Sequence, residues 1–347
     1  RRARLAPAAH TQALGARRSS WRSDLVMKCA MRIGLGHEAG SQLKAVAVLV
    51  TLVVAMCVPD VSCGGVAYVD DDAPPGVGDG SPGNPFGLIS EAMETASAGD
   101  TVAVRPGLYS EYIVVDMHDS MGMNTASIVI KDGVTLCSTE GPESATILGT
   151  GCEAVVFFDG SSSASALVGF TLELDGVGWG LRAHVLCYAA HPLVHGNVIE
   201  QLTGGIFCRA QSSPTISGNH LPHVPISMSG GSGGLISDNT IVDRIGVSSG
   251  VESSLPILIE GNTIGSEQAR PWEDIGIAVS ASGPGEVLVY DNTIQWKDVG
   301  AEVCRGTFWH NRFVNNTVNL RARDYCETWK DIDAVENWWG TADSLEV

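Results

Sequence analysis

The chain has 347 residues, 41 of them glycine, with 44% apolar and only 17% charged residues, a balance that fits a turn-rich β protein better than a helical one. From Gly64 onward 12 Lys or Arg face 36 Asp or Glu, a net charge of −24. A surface of that sign disfavours nucleic acid and anionic lipid as partners and leaves solubility or divalent cations as its uses.

Residues 1–44 carry nine Lys or Arg against two Asp or Glu, and the 14-residue apolar run from Ala45 to Val58 follows Lys44. A basic start, an apolar run too short to span a bilayer and the small residues of Val61-Ser62-Cys63-Gly64 predict a secretory signal within 1–63. The mature protein is then exported, secreted or at the cell surface, with no transmembrane segment. Val61-Ser62-Cys63 loosely resembles a lipobox, but Asp60 stands where that motif wants an aliphatic residue, which argues against lipid anchoring at Cys63. The first residue is Arg, so Met27 and Met31 are candidate starts.

From Ala67 the periodicity changes. Asp70, Asp71, Asp72 and Asp79 lie in a Gly- and Pro-rich loop and form the candidate metal site; calcium is the cation such oxygen donors suit, although the spacing has no EF-hand pattern. No other cofactor is expected. Asn84 before Pro85 makes a helix start, and Leu88, Ile89, Ala92, Met93 and Ala96 share one face before Ala98-Gly99 stops it. This short helix is predicted to cap an open first coil, within 64–100. Strands are predicted at 101–104, 112–115, 127–130 and 134–136.

From Pro192 one phrase recurs as PLVHGNVI, PTISGNHL, GLISDNTI, PILIEGNTI and VLVYDNTI, with a looser copy in GTFWHNRF. The shared residues are Asn197, Asn219, Asn239, Asn262, Asn292 and Asn311, the first five at intervals of 22, 20, 23 and 30, which suits one coil of a solenoid. Apolar and polar residues alternate on both sides of a Gly-Asn or Asp-Asn corner, so two strands meet there. Stacked at one strand spacing, about 4.8 Å, the asparagines would form a hydrogen-bonded ladder with aliphatics inside, which is a parallel β-helix. A second register, Gly180-Leu181, Gly205-Ile206, Pro225-Ile226, Gly246-Val247, Gly276-Ile277 and Gly300-Ala301, supports it. Alternation in that register puts Leu181, Ala183, Ile206, Cys208, Ile226, Met228, Val247, Ser249, Ile277 and Val279 inside. It turns Arg182, Phe207, Ser227, Ser248, Ala278 and Glu302 outward. The expected fold is all-β: one β-helix domain over 64–347, its clearest coils at 180–311 and a C-terminal cap at 312–347.

The order YVDDD, GDGSPGNPF, a helix, AGDTVAVRPGLYSE, KDGVTL, SATIL and SALVGFTL resembles the right-handed parallel β-helix proteins of the pectin-lyase-like superfamily, in an exported bacterial group with a domain of unknown function at the start. The closing ENWWGTADSLEV is similar to the NWWGT ending common in that group. The resemblance spans nearly all of the chain from Ala67 and implies a right-handed coil. Because the ending usually runs on in that group, it also implies truncation at Val347.

Such folds host lyases, hydrolases, esterases, epimerases and non-enzymatic surface proteins, so residues must choose among them. The acid pairs of a polygalacturonase-like site with its GHG and RIK strings, a methylesterase-like QDTL and an epimerase-like YGxDPH are all missing from the sequence. One outward cluster stands out: Arg182, His184, Phe207 and Arg209, with Arg182 expected over Phe207 and His184 over Arg209. Two guanidinium groups can grip a uronate carboxylate while the ring stacks on the sugar; the bland alternative is solvated surface. His191, His195, His220 and His223 sit at unlike positions in their coils, so no metal cluster is expected. Cys137, Cys152, Cys187, Cys208, Cys304 and Cys326 read equally as disulfides, which export permits, or as buried thiols stacked inside the coil; no CxxC pair suggests zinc. Phe308, Trp309, Phe313, Tyr325, Trp329, Trp338 and Trp339 read as the cover of the last coil. The function expected is that of an exported, non-catalytic carbohydrate-associated or adhesive surface protein with a polysaccharide or cell-surface glycan as partner. The alternative is a polysaccharide lyase or glycoside hydrolase acting on an acidic glycan through the outward face of the β-helix.

Overall fold

The structure, a computed structural model, describes residues 64–116, 125–175, 182–201, 203–248, 255–267, 275–280, 286–323 and 332–340. Residues 1–63, where the secretory signal is expected, together with Cys326, Leu181 and Ser249 lie outside them, as do Tyr325 and Trp329.

Each coil visits three sheets in turn. The first sheet stacks eleven parallel strands, from Val66–Val69 to Ile332–Val335. The second begins with Gly107–Tyr109, Ala145–Thr150 and Thr171–Asp175 and continues in five strands from His220–Leu221 to Arg312–Val314; Val198 bridges the two groups by pairing with both Thr171 and His220. The third stacks ten strands from Ile113–Val114 to Val318–Ala322, parallel except for its first pair. Alternation fills the tube between them. Ile216, Ile236, Ile259, Val289 and Phe308 stack in register on the first sheet, and Leu221, Ile241, Ile264, Ile294 and Phe313 on the second, all wholly buried. Burial of each such side chain contributes roughly 1.5–3 kcal/mol, as an upper estimate.

The corner between the first and second sheets carries the asparagine ladder. Nδ2 of Asn197 donates to Oδ1 of Asn219 at 3.1 Å, and the same bond runs on through Asn239, Asn262, Asn292 and Asn311 at 2.9–3.0 Å. Asn337 extends it by one more step at 3.0 Å, a member the repeat phrase does not expose because Trp338-Trp339 follow it where the first five copies end in an aliphatic residue. Positive φ falls on the residue before each Asn, from Gly218 at 64° to the non-glycine Asp238, Asp291, His310 and Glu336 at 54–57°. Ladder bonds evidently hold those strained corners.

The second register needs correction. Val185, not Leu181, lies opposite Ile206, a slip of four residues, and Ile245, not Val247, lies opposite both Ile226 and Ile277, a slip of two. Both slips are even, so the inward and outward faces were assigned rightly over most of this sheet although the partners were wrong. The exception is Ala183: strand pairing runs from Ala183 directly to Val185 opposite Ala154 and Val156, passing over His184. Ala183 therefore belongs to a buried cluster outside the tube, and His184 turns in.

The cap is present but starts late. Helix α1 spans Ile89–Thr95 and buries Ile89, Ala92 and Met93. Asn84 does not cap it; its carbonyl instead accepts from Asp79 and Gly80 in a turn. The helix start is satisfied from the next coil, where the Glu111 carboxylate accepts from the N–H groups of Ile89 at 2.7 Å and Ser90 at 3.0 Å. Cysteines divide between the two readings: Cys137, Cys152, Cys187 and Cys208 are free thiols, and Cys304 is disulfide-bonded.

Candidate functional site

The outward face of the third sheet carries the candidate site. Strand pairing sets Phe157, Leu186 and Phe207 in one row and Asp159, Tyr188 and Arg209 in the next. Phe157 and Leu186 are buried with Ala126, Ala154 and Ala183 in an apolar ridge outside the tube, flanked by half-buried Tyr188 and Phe207. Beyond Phe207 the row continues as Ser227, Gly246 and Ala278, a floor of small residues. It ends at Glu302, whose carboxylate is held by Arg321 and Arg323. Burial works to raise the Glu302 pKa, but the two guanidinium groups outweigh it and hold the carboxyl below its usual range. The result is a low floor about 19 Å long, four strand spacings, between an aromatic ridge and a charged end wall.

Two of the four residues of the expected cluster lie on one face. Phe207 and Arg209 share this face, but Arg209 lies opposite Tyr188 and Phe207 opposite Leu186, so neither Arg182 nor His184 stands over them. Arg182 bends onto backbone, donating Nε to the Cys152 carbonyl at 3.0 Å and Nη1 to that of Asp175 at 2.9 Å. His184 is wholly buried: Nδ1 accepts from the Gly205 N–H at 3.1 Å and Nε2 lies 3.0 Å from Gln201 Oε1. Desolvation depresses its pKa to about 4, so it is neutral at ordinary pH and serves as a structural link rather than a sugar contact. Sequence reasoning missed Tyr188 and Asp159, yet a signal existed. Cys187-Tyr188-Ala189 and Cys208-Arg209-Ala210 share the pattern Cys-x-Ala on successive coils, which places Tyr188 beside Arg209, and both alanines take positive φ, at 48° and 55°.

Of the acidic loop, Asp70, Asp71 and Asp72 converge, one carboxylate oxygen from each lying within 4.8 Å of the others; among the described residues no other three His, Cys, Asp or Glu do so. Two of the carboxylates are braces for the first coil. Asp70 pairs with Arg105 at 2.9 Å and Asp71 accepts from the Leu108 N–H at 2.8 Å. Asp79 is not part of the group: it accepts from Ser81 at 2.9 Å, and hydrogen bonds from Ser81 and Asn84 lower its pKa. The histidines stay apart, His191 on Ser213 and His195 on Ser217.

Inside the same sheet lies a third arrangement. Cys187, Cys208 and Met228 occupy one inward position on three successive coils, all wholly buried. A hydrogen bond with Cys208, together with burial, pushes the Cys187 thiol well above its usual range. At the far end Phe308 and Phe313 are buried, Trp339 stacks on Phe313 with ring centroids 4.9 Å apart, and Tyr290 stacks on Trp309 at 4.8 Å. Trp338 is exposed, with Arg312 5.0 Å from its ring centroid.

Residues 170–342, about half of the chain, match the family described as "Periplasmic copper-binding protein (NosD)". No curated protein sequence matches the chain. Among solved structures a rhamnogalacturonan lyase is 12% identical with a TM-score of 0.42, covering 82% of this chain and 89% of its own. A pectin methylesterase from Aspergillus niger is 14% identical with a TM-score of 0.37, covering 82% and 91%. Identities and scores this low assign neither enzyme's chemistry to the chain. With three stacked sheets, an internal asparagine ladder and a capping helix, the chain is a parallel β-helix protein whose residues 170–342 are similar to the NosD family.

Proposed function

We propose that the protein is an exported, non-catalytic glycan-binding β-helix whose outward third-sheet floor takes an acidic saccharide. The observation that supports this best is the pairing that brings Phe207, Tyr188 and Arg209 together beside the small-residue floor. Aromatic faces supply apolar stacking for a sugar ring, and a guanidinium matches a uronate carboxylate in two-point geometry. Export accords with the periplasmic description of the matching family, and among the described residues no helix is long and apolar enough to cross a membrane. Retention on an acidic polysaccharide column tests the proposal: Phe207→Ala and Arg209→Ala should each weaken it, while Arg182→Ala should not. Equal retention of all three variants would dismiss this face. Unsaturated products or new reducing ends from a panel of acidic and neutral polysaccharides would favour a lyase or hydrolase instead.

The description of the matching family brings copper as a second ligand. The oxygen donors of Asp70, Asp71 and Asp72 suit a hard cation such as calcium, whereas the sulfurs of Cys187, Cys208 and Met228 are of the class that selects monovalent copper.

A further inference from the structure

Resting on the glycan reading of the third-sheet face, we infer that Arg244 is a second carboxylate contact there, and that the ligand is a linear polyuronate lying along the coil axis from Phe207 to Arg244. Arg244 immediately precedes the strand Ile245–Ser248, and its carbonyl accepts from the Ile226 N–H at 3.1 Å. Ile245 turns into the tube and is wholly buried, whereas Arg244 is exposed. Among the described residues its guanidinium has no hydrogen-bonding, ionic or ring partner. Other arginines are engaged: Arg105 with Asp70, Arg182 with two carbonyls, Arg321 and Arg323 with Glu302, and Arg312 over Trp338. On so acidic a surface, an exposed guanidinium without a partner is suited to grip a carboxylate that a ligand brings.

The path between the two contacts is open. Phe207, Ser227 and Gly246 stand in one row on successive coils, so Gly246 lies two strand spacings, roughly 10 Å, from Phe207. A Cβ on Gly246 would meet nothing nearer than the Ile226 carbonyl oxygen at 3.9 Å, so packing does not ask for glycine there. Gly276 and Gly300 differ: a Cβ on either would come within 2.6 Å of a carbonyl oxygen of the next coil, so the close approach of the coils requires them. The missing side chain at Gly246 instead clears space above the floor. Arg209 follows Phe207 in its strand and Arg244 precedes Gly246 in its own, so the two guanidinium groups flank the row from opposite sides, two coils apart. A saccharide chain advances by about one strand spacing per sugar, so a trimer is the shortest that stacks on Phe207 and still brings a carboxylate to Arg244.

The test is calorimetric titration with oligogalacturonates of graded length, from dimer to hexamer, on the wild type, Arg244→Gln, Gly246→Leu and Arg209→Gln. On the wild type, affinity should rise most between dimer and trimer. Arg244→Gln should weaken the trimer and longer chains by about tenfold or more and leave the dimer unchanged. Gly246→Leu should do the same by obstruction, and both variants should melt with the wild type. Arg209→Gln should weaken every length. Trimer binding undiminished by Arg244→Gln, or dimer and trimer weakened alike, would overturn the second contact while the glycan reading stands. Trimer binding undiminished by Gly246→Leu would overturn the path along the axis. A wild type that binds no length would overturn both the path and the glycan reading.

Discussion

Oδ1 of Asn239 accepts two hydrogen bonds from Asn219, one from the side-chain Nδ2 and one from the backbone N–H, each at 2.9 Å. One oxygen thus holds both the side chain and the main chain of the preceding coil. Asn239→Ala should leave buried donors without partners and cost about 1–3 kcal/mol, seen as a lower urea midpoint. A variant that unfolds with the wild type would show that the corner is held by aliphatic stacking alone.

Glu111 caps helix α1 from the next coil, and burial raises its pKa above the ordinary 4.5. A raised folded pKa contributes stability that is full below the unfolded value and lost as pH rises through the folded one. The stability of the wild type relative to Glu111→Gln should therefore fall as pH rises above 4.5, measured by thermal melts across a pH series. A difference independent of pH would mean that Glu111 titrates as it does in the unfolded chain.

His184 has the opposite sign. Its pKa falls from 6.5 unfolded to about 4 folded, so its contribution is full above 6.5 and lost as pH falls towards 4. His184→Asn should remove that part of the acid destabilisation, giving a flatter melting profile over this window. Because the side chain is buried, the substitution should leave glycan retention on the outer face unchanged at neutral pH.

Lys297 is buried, with Nζ 2.5 Å from the Val242 carbonyl and 2.6 Å from that of Asp243. Lys297→Met keeps much of the bulk but removes the donor, and should cost roughly 1–3 kcal/mol by chemical denaturation. Unchanged stability would mean that the carbonyls find other donors.

The ladder was legible because its parts are local: a corner residue, an Asn and flanking aliphatics recur in one phrase. Pairing on the third sheet was less so, since Gly-aliphatic pairs occur at more than one place per coil and even slips leave the alternation intact. His184 was misplaced because nothing in its own strand announces that pairing passes over it. Glu111 lies 22 residues from Ile89, and Arg182 reaches a carbonyl 30 residues away, so only the closed coil reveals what they satisfy. The candidate face was half legible for the same reason: Phe207 and Arg209 share a strand, whereas Tyr188 and Asp159 arrive from earlier coils.

The ladder also has a direction. Every amide from Asn197 to Asn311 hands its N–H forward to the oxygen of the following Asn. One reversed amide would set donor against donor on one side and oxygen against oxygen on the other, so no member can turn independently of its neighbours. A coil set one residue out of step would bring a residue such as Asp, Gly, Glu, His or Thr to that point in place of the amide, and the donor-to-acceptor run would break there. The row of asparagines thus ties the alignment of every corner, from Asn197 to Asn337, to that of its neighbours.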